Sequence, residues 1–290
     1  MKEKKIGGLS VGTTATRSVN TWVIALFGYD TCGKSKLALT APAPIGYAPL
    51  ETKAFPTIRK DGDEAGVEVI RPTNEMELLM NPRKVSMTIG KTPAETDTLR
   101  QQLYIEHVRK VEEYIYGLAE EDEIRSIVID KFTTYCNWVE LSINGMQEKV
   151  IKIQGQYYKD KKESNQHIVD FINSLGHYGK PVILINSSKG DYDGPMDAEK
   201  KPVRNTWEGF KYLGSHCNAV VEVFTNPYWD PDKNGVKYDW HYGLHVKRSQ
   251  TKPELEGPDG MMLLKDDSIT LPRLMKKLDP DFDPEFWMPE

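Results

Sequence analysis

The fold is decided by residues 21–35, which read Thr-Trp-Val-Ile-Ala-Leu-Phe-Gly-Tyr-Asp-Thr-Cys-Gly-Lys-Ser. The apolar first half predicts a buried strand, and residues 28–35 match the pattern Gly-x-x-x-x-Gly-Lys-[Ser/Thr]. A short helix is predicted over Lys34–Thr40, because Pro42 and Pro44 follow it. A strand, a glycine-rich turn and a helix in this order predict a phosphate-binding loop; a glycine turn without a ligand is the alternative.

The chemistry of this loop follows from its residue types. The two glycines let backbone N–H groups close around phosphate oxygens, and the start of the helix adds partial positive charge. We therefore expect ATP and Mg²⁺ here, with Lys34 reaching the β- and γ-phosphates and Ser35 holding the metal. The candidate nucleotide contacts are Gly28, Tyr29, Asp30, Thr31, Cys32, Gly33, Lys34, Ser35 and Lys36. The pKa of the Cys32 thiol is expected to be lowered by Lys34 and the helix start.

Two acidic residues follow predicted strands elsewhere in the chain. Asp130 ends the apolar run Ser126–Ile129 and is expected to complete the Mg²⁺ shell opposite Ser35. Glu51 ends a predicted strand that begins at Ile45, where it could polarise a water molecule facing the γ-phosphate. The alternatives are a turn-capping aspartate and an ordinary exposed glutamate.

Composition narrows the class of protein. The 290 residues are 39% hydrophobic and 28% charged, with a net charge of −5, which fits a soluble globular chain without general affinity for nucleic acid. The chain has no apolar run near the roughly 20 residues that span a bilayer, and no secretory signal. Three cysteines cannot all pair within one chain, so free thiols and a cytoplasmic location are expected.

The order of elements predicts an α/β fold. Apolar strands alternate with helices, which indicates a mostly parallel twisted sheet flanked by helices, with an antiparallel extension of strands near the C-terminus. We expect three regions: a flexible or docking arm (1–20), the nucleotide-binding domain (21–265) and an acidic aromatic tail (266–290). The tail could dock on a partner, mimic single-stranded DNA or be a disordered terminus.

The phosphate loop resembles that of the RecA family, in which the third position is typically acidic, as Asp30 is here. The later elements also follow the order of that family, and the similarity is greatest to the phage-encoded RecA-like single-strand annealing ATPases of the Sak type. The resemblance covers about residues 20–265, and it implies a RecA-like P-loop ATPase domain that hydrolyses ATP with Mg²⁺.

The resemblance also implies individual roles. Glu51 would activate water, with Lys34 in the same catalytic set, and Asp130 would be the Walker B carboxylate. Lys247 and Arg248 lie where the family presents cations to the nucleotide of the neighbouring subunit, which implies a homo-oligomeric ring or filament. Ser187 stands where that family commonly has glutamine, so the usual coupling between the γ-phosphate and DNA is in doubt.

Two segments are candidates for binding single-stranded DNA. Residues 188–206 are predicted to form an exposed loop, at the place of the family's second DNA-binding loop; its cations are Lys189, Lys200, Lys201 and Arg204. The segment 149–162 interrupts a helical region and combines Tyr157 and Tyr158 with Lys159, Lys161 and Lys162, a pattern that can hold single strands. The alternatives are a solvated loop, which also carries four acids, and a lysine-rich helix connection.

The leading hypothesis is therefore a RecA-like ATPase acting on single-stranded DNA in phage-type recombination or annealing. A single-strand binding protein or another replication or recombination protein is a possible partner. The alternatives are an ATP-driven DNA motor, such as a helicase or packaging ATPase, and a nucleotide-gated binding module with little turnover. A small-molecule kinase ranks lower, because the chain offers no arginine-rich lid.

Overall fold

The structure, a computed structural model, describes most of the central part of the chain. The described residues are 4–6, 9–11, 22–51, 68–70, 93–144, 154–191, 204–210, 212–225, 242–249, 262–265, 270–279 and 282. Within them, none of the helices is both long enough and apolar enough to cross a bilayer.

Eleven strands and six helices are formed by the described residues. The strands are β1 Lys4–Ile6, β2 Leu9–Val11, β3 Val23–Gly28, β4 Ile45–Pro49, β5 Val69–Ile70, β6 Ser126–Asp130, β7 Val182–Asp191, β8 Arg204–Trp207, β9 Ala219–Thr225, β10 Tyr242–Ser249 and β11 Met262–Lys265. The helices are α1 Lys34–Ala38, α2 Pro93–Glu120, α3 Phe132–Asn144, α4 Gln154–Gly176, α5 Leu213–His216 and α6 Leu271–Leu278.

The main sheet has the strand order β11-β10-β9-β3-β7-β6-β4-β5, with β8 paired to β7. Strands β9, β3, β7, β6, β4 and β5 run parallel, whereas β10 and β11 are antiparallel additions at one edge. The predicted α/β class, a mostly parallel sheet with a C-terminal antiparallel extension, is confirmed. Strand β7 separates the strand of the phosphate loop from the strand that ends at Asp130.

Helices cover both faces of the sheet. Helices α2, α3 and α4 pack on one face, where buried side chains such as Ile115, Val139 and Ile172 meet Phe27 and Leu184. Helices α1 and α6 cover the other face, over residues such as Leu26, Ile185 and Val246. Covering both faces explains why β3, β4 and β6 are buried at every position and apolar at nearly all of them.

Four predictions for the middle of the chain differ from the structure: a polar loop over 81–98, an interrupted helical region near 154–165, an exposed loop over 188–206 and a helix that starts at Trp207. Helix α2 begins at Pro93, inside the predicted loop 81–98, and α4 runs without a break from Gln154 through the lysine-rich stretch. Residues 188–191 and 204–206 pair as strands rather than forming a loop, and Trp207 ends β8 instead of starting a helix. A polar composition alone therefore does not distinguish a loop from a helix or strand here.

The two ends of the chain also differ from the prediction. Within the expected N-terminal arm, β1 and β2 form a small antiparallel hairpin. Within the expected tail, α6 buries its apolar positions in the second core: Leu271, Leu274, Met275 and Leu278, followed by Phe282. The backbone N–H of Leu271 also donates to Thr40 Oγ1 at 2.8 Å, just beyond α1. This part of the tail therefore packs against the main sheet.

The packing of α6 predicts a large loss of stability when Leu274 is shortened. Leu274→Ala should lower the free energy of unfolding by about 2–5 kcal/mol, because Leu274 is fully buried and the substitution leaves a cavity. Lys277→Ala on the exposed side of the same helix is the matched control and should change it by less than ~0.5 kcal/mol. Urea unfolding followed by fluorescence measures both, and equal, small effects would contradict the assignment of α6 to the core.

Candidate nucleotide site

The phosphate loop joins β3 to α1 with a backbone that only some residues tolerate. Gly33 has φ 89° and Thr31 has φ 67°, which places both in the left-handed region. A side chain at Gly33 would also come within 2.9 Å of the Tyr242 ring, and one at Gly28 within 2.2 Å of the Val223 carbonyl oxygen. The loop is therefore fixed from behind by β9 and β10, and both glycines of the pattern are structurally required.

Lys34 is the cation at the centre of the loop. Its side chain folds back so that Nζ donates to the carbonyl oxygens of Gly28 at 2.8 Å and Tyr29 at 2.6 Å. The residue is only 6% exposed. A buried ammonium group held inside a glycine loop provides concentrated positive charge where the sequence pattern places phosphate groups.

Cys32 does not behave as predicted. Burial raises the pKa of its thiol, and this outweighs the opposing effect of the Lys34 charge and hydrogen bonds. Its Sγ lies 3.7 Å from Lys34 Nζ, so the expected contact exists, but desolvation decides the direction. Cys136 and Cys217 are buried too, and all three cysteines are free thiols.

Ser35 and Asp130 meet beyond the carboxyl ends of the central parallel strands. Ser35 Oγ donates to Asp130 Oδ2 at 2.9 Å across a sequence separation of 95 residues. The hydroxyl of Tyr47, fully buried on β4, donates to the same carboxylate oxygen at 2.6 Å. Burial raises the pKa of Asp130, against the hydrogen bonds from Tyr47 and Ser35 and the charge of Lys34. A cation beside this carboxylate would favour its ionised form.

Glu51 lies just beyond the end of β4 and faces the turn that follows Asp130. Lys131 Nζ is 3.5 Å from Glu51 Oε1 and 3.3 Å from Asp30 Oδ1 in the phosphate loop. Thr134 Oγ1 donates to the same Glu51 oxygen at 3.3 Å. The structure thus brings Glu51, Asp30 and Asp130 together at the carboxyl ends of the parallel strands. Lys131 lies between Glu51 and Asp30.

Thr133 connects this turn to β7. Its Oγ1 accepts the backbone N–H of Ser187 at 3.0 Å and lies 3.4 Å from Asn186 Oδ1. The backbone N–H of Glu208 in turn donates to the Ser187 carbonyl at 2.9 Å. The β7–β8 hairpin is therefore attached to the residues that follow Asp130 without any contribution from a glutamine at position 187.

Lys247 and Arg248 lie on β10. Lys247 Nζ forms an ion pair with the buried Glu222 at 2.9 Å, and His245 Nδ1 lies 3.7 Å from the same oxygen. Arg248 is exposed and packs over Gly214, where an added side chain would meet its Cδ at 2.7 Å. Within one chain, Lys247 therefore balances Glu222, and a role for either cation at a neighbouring nucleotide stays a prediction.

The candidate DNA-binding residues that the structure describes lie on helix α4 and on the β7–β8 hairpin. Lys159, Lys161 and Lys162 lie on α4, where Lys162 is exposed and Lys161 forms an ion pair with Glu140 at 3.6 Å. Lys189 on β7 and Arg204 on β8 belong to the hairpin, which the register Asp191↔Arg204 closes. Lys200 and Lys201 lie outside the described residues.

Several residues of the site were not anticipated: Tyr47, Lys131, Thr133 and Thr134. Lys131 and the two threonines could have been found from position alone, because they directly follow Asp130 at the end of a predicted strand. Tyr47 could not, since only the pairing of β4 with β6 brings its hydroxyl to Asp130.

The residues present fit a nucleoside triphosphate with Mg²⁺. Hydroxyl and carboxylate oxygens are ligands that Mg²⁺ prefers, and the ion usually takes one or two protein ligands together with phosphates and water. Ser35 Oγ and Asp130 Oδ2 lie 2.9 Å apart, and the neighbouring residue in the loop, Lys34, is buried. Such an arrangement suits a phosphate chain whose metal is held between the loop and β6.

Comparison with known proteins gives only distant similarity. No protein-family model and no curated protein matches the chain. The crystal structure of the RadB recombinase aligns with a TM-score of 0.42 at 13% identity, covering 84% of this chain and 86% of that one. A KaiC-like protein from the hyperthermophilic archaeon Pyrococcus horikoshii aligns with a TM-score of 0.37 at 10% identity, covering 83% and 88%. At these TM-scores neither similarity supports a statement about this chain's activity.

Proposed function

We propose that this chain is a RecA-like P-loop ATPase that hydrolyses ATP with Mg²⁺ and acts on single-stranded DNA. The observation that carries the ATPase proposal is the contact between Ser35 Oγ and Asp130 Oδ2 at 2.9 Å, next to the buried Lys34. A glycine turn without a ligand gives no reason for a buried ammonium, a serine hydroxyl and a buried carboxylate to converge at one strand edge.

In this proposal each residue has one task. Gly28 and Gly33 shape the loop that receives the phosphates, and Lys34 balances their charge. Ser35 and Asp130 hold Mg²⁺, which when bound neutralises charge on the phosphate oxygens. Glu51 accepts a proton from the attacking water, so that ATP and water yield ADP and inorganic phosphate.

The proposal of a single-stranded DNA partner rests on the position of the β7–β8 hairpin. Ser187 in β7 lies near the site, because its backbone N–H donates to the hydroxyl of Thr133, which is two residues after Lys131. The exposed Lys162 on α4 offers a contact for a phosphate backbone. The exposed Arg248 on β10 is available to a second copy, which agrees with a homo-oligomeric ring or filament.

The experiment that tests the DNA part is ATP turnover with and without a single-stranded oligonucleotide, at low salt and saturating Mg²⁺. We expect the oligonucleotide to raise kcat, and a matched duplex to raise it less. Directional movement along the strand would instead indicate a DNA motor. Turnover that no nucleic acid changes, together with unchanged mobility of the labelled oligonucleotide, would refute DNA as the partner.

A further inference from the structure

Lys131 has no task in the mechanism described so far, yet it occupies the place between the phosphate loop and Glu51. Its Nζ lies 3.3 Å from Asp30 Oδ1 and 3.5 Å from Glu51 Oε1, and its side chain is only 16% exposed. Its ammonium group is thus shared between two carboxylates, one in the phosphate loop and one just beyond β4.

The surroundings of Glu51 give Lys131 its importance. The contacts described for the Glu51 carboxylate come from residues shortly after Asp130: Lys131 just before α3, and Thr134 in the first turn of α3. The side chain of Glu51 is 39% exposed, so without these contacts water would leave its rotamers largely free. A general base works only when its oxygen is held within reach of the proton that it accepts.

Lys131 lies between two buried neighbours in the chain. Asp130 on one side is 7% exposed and accepts two hydrogen bonds, and Phe132 on the other side is fully buried. The residue that orients Glu51 is thus the neighbour of the residue that would hold Mg²⁺. By contrast Lys247, the cation expected at such a site from a neighbouring subunit, is paired with Glu222 at 2.9 Å.

We propose that Lys131 is the positioning residue of the hydrolytic site, holding the Glu51 carboxylate against the phosphate loop from within the same chain. The proposal rests on the ATPase function proposed above. It assigns the orienting positive charge to the chain that binds the nucleotide, so that this step needs no cation from a neighbouring subunit.

The test replaces Lys131 with methionine, which keeps the length of the side chain and removes its charge. Lys131→Met should lower kcat at least about 10-fold, because displacing a reacting group by an ångström can cost ~10²-fold. The KM for ATP should change less than about threefold, since Lys34 and Ser35 still bind the nucleotide. Lys131→Arg keeps the charge and should recover most of the lost kcat.

Lys180→Met is the matched control. Lys180 precedes the amino end of β7, whereas the site lies near the carboxyl ends of the strands, and its side chain donates to the Glu121 carbonyl. Its loss should therefore leave kcat and KM unchanged. If wild type and Lys131→Met turn over ATP equally, the role of Lys131 is refuted while the ATPase function stands. If the wild type has no Mg²⁺-dependent turnover, both proposals fail.

Mixing two impaired variants tests whether Lys131 acts within its own chain. Equimolar Lys131→Met and Glu51→Gln should show no more turnover than the sum of the separate proteins, because each chain lacks one half of the pair. Restored turnover in the mixture would show that Lys131 serves the site of another chain, and would overturn the proposal.

Discussion

Glu51→Gln should reduce kcat for ATP hydrolysis by about 10²- to 10⁴-fold, the usual contribution of a general base. The amide cannot accept a proton from water, but it has the size of the carboxylate and can still receive the hydroxyl hydrogen bond of Thr134. The KM should therefore change little. Steady-state phosphate release gives kcat, and titration with a fluorescent ATP analogue gives the affinity.

The control for Glu51→Gln is Glu120→Gln, at the end of α2 and exposed. It changes the net charge by the same amount and should leave both constants as in wild type. Turnover at the wild-type rate in Glu51→Gln would remove Glu51 from the mechanism. Loss of ATP affinity together with kcat would mean that Glu51 supports the loop rather than the reaction.

Lys34→Ala should weaken ATP binding by at least about 100-fold, because hydrogen bonds from a charged donor contribute roughly 1.5–3 kcal/mol each. In the structure the ammonium group donates two such bonds inside the loop and is 6% exposed. Its removal leaves the Gly28 and Tyr29 carbonyl oxygens facing the incoming phosphates without a cation. Isothermal titration calorimetry with ATP and Mg²⁺ measures the loss directly.

A separate measurement distinguishes lost binding from lost folding in Lys34→Ala. ATP should raise the Tm of the wild type, because a ligand that binds only the folded state stabilises it. Without ATP, Lys34→Ala should still unfold cooperatively, at a lower Tm because two hydrogen bonds of the buried ammonium group are lost, while its response to ATP disappears. An ATP response as large as in the wild type would contradict the assigned role of Lys34.

Local patterns predicted the parts of the site that a few neighbouring residues determine. The loop from Gly28 to Ser35 follows from its glycines and from the apolar strand before it. Asp130 was predicted from its position at the end of an apolar strand, and the role of Glu51 mainly from the resemblance to the RecA family. The parallel strands place their carboxyl ends together, which brings Ser35 to Asp130 across a separation of 95 residues.

The missed contacts depend on packing that no local pattern describes. Burial decided the direction of the Cys32 pKa, and Tyr47 reaches Asp130 only because β4 pairs with β6. The pairing of Lys247 with Glu222 likewise arises between two strands whose register the sequence does not state.

Two segments were misjudged because of charged residues within or next to them. In α6 the buried positions Leu271, Leu274, Met275 and Leu278 have the spacing of an amphipathic helix, but they precede an acidic stretch that suggested a tail. In α4 the lysine-rich stretch begins a continuous helix, and apolar residues such as Ile168 and Phe171 reach the core in its later turns.

The measurement that most directly tests the account is phosphate release by the wild-type chain with ATP, in the presence of Mg²⁺ and after chelation. The convergence of Lys34, Ser35 and Asp130 predicts steady turnover with Mg²⁺ that stops when the metal is removed. Phosphate release no greater than that of Lys34→Ala under the same conditions would contradict it.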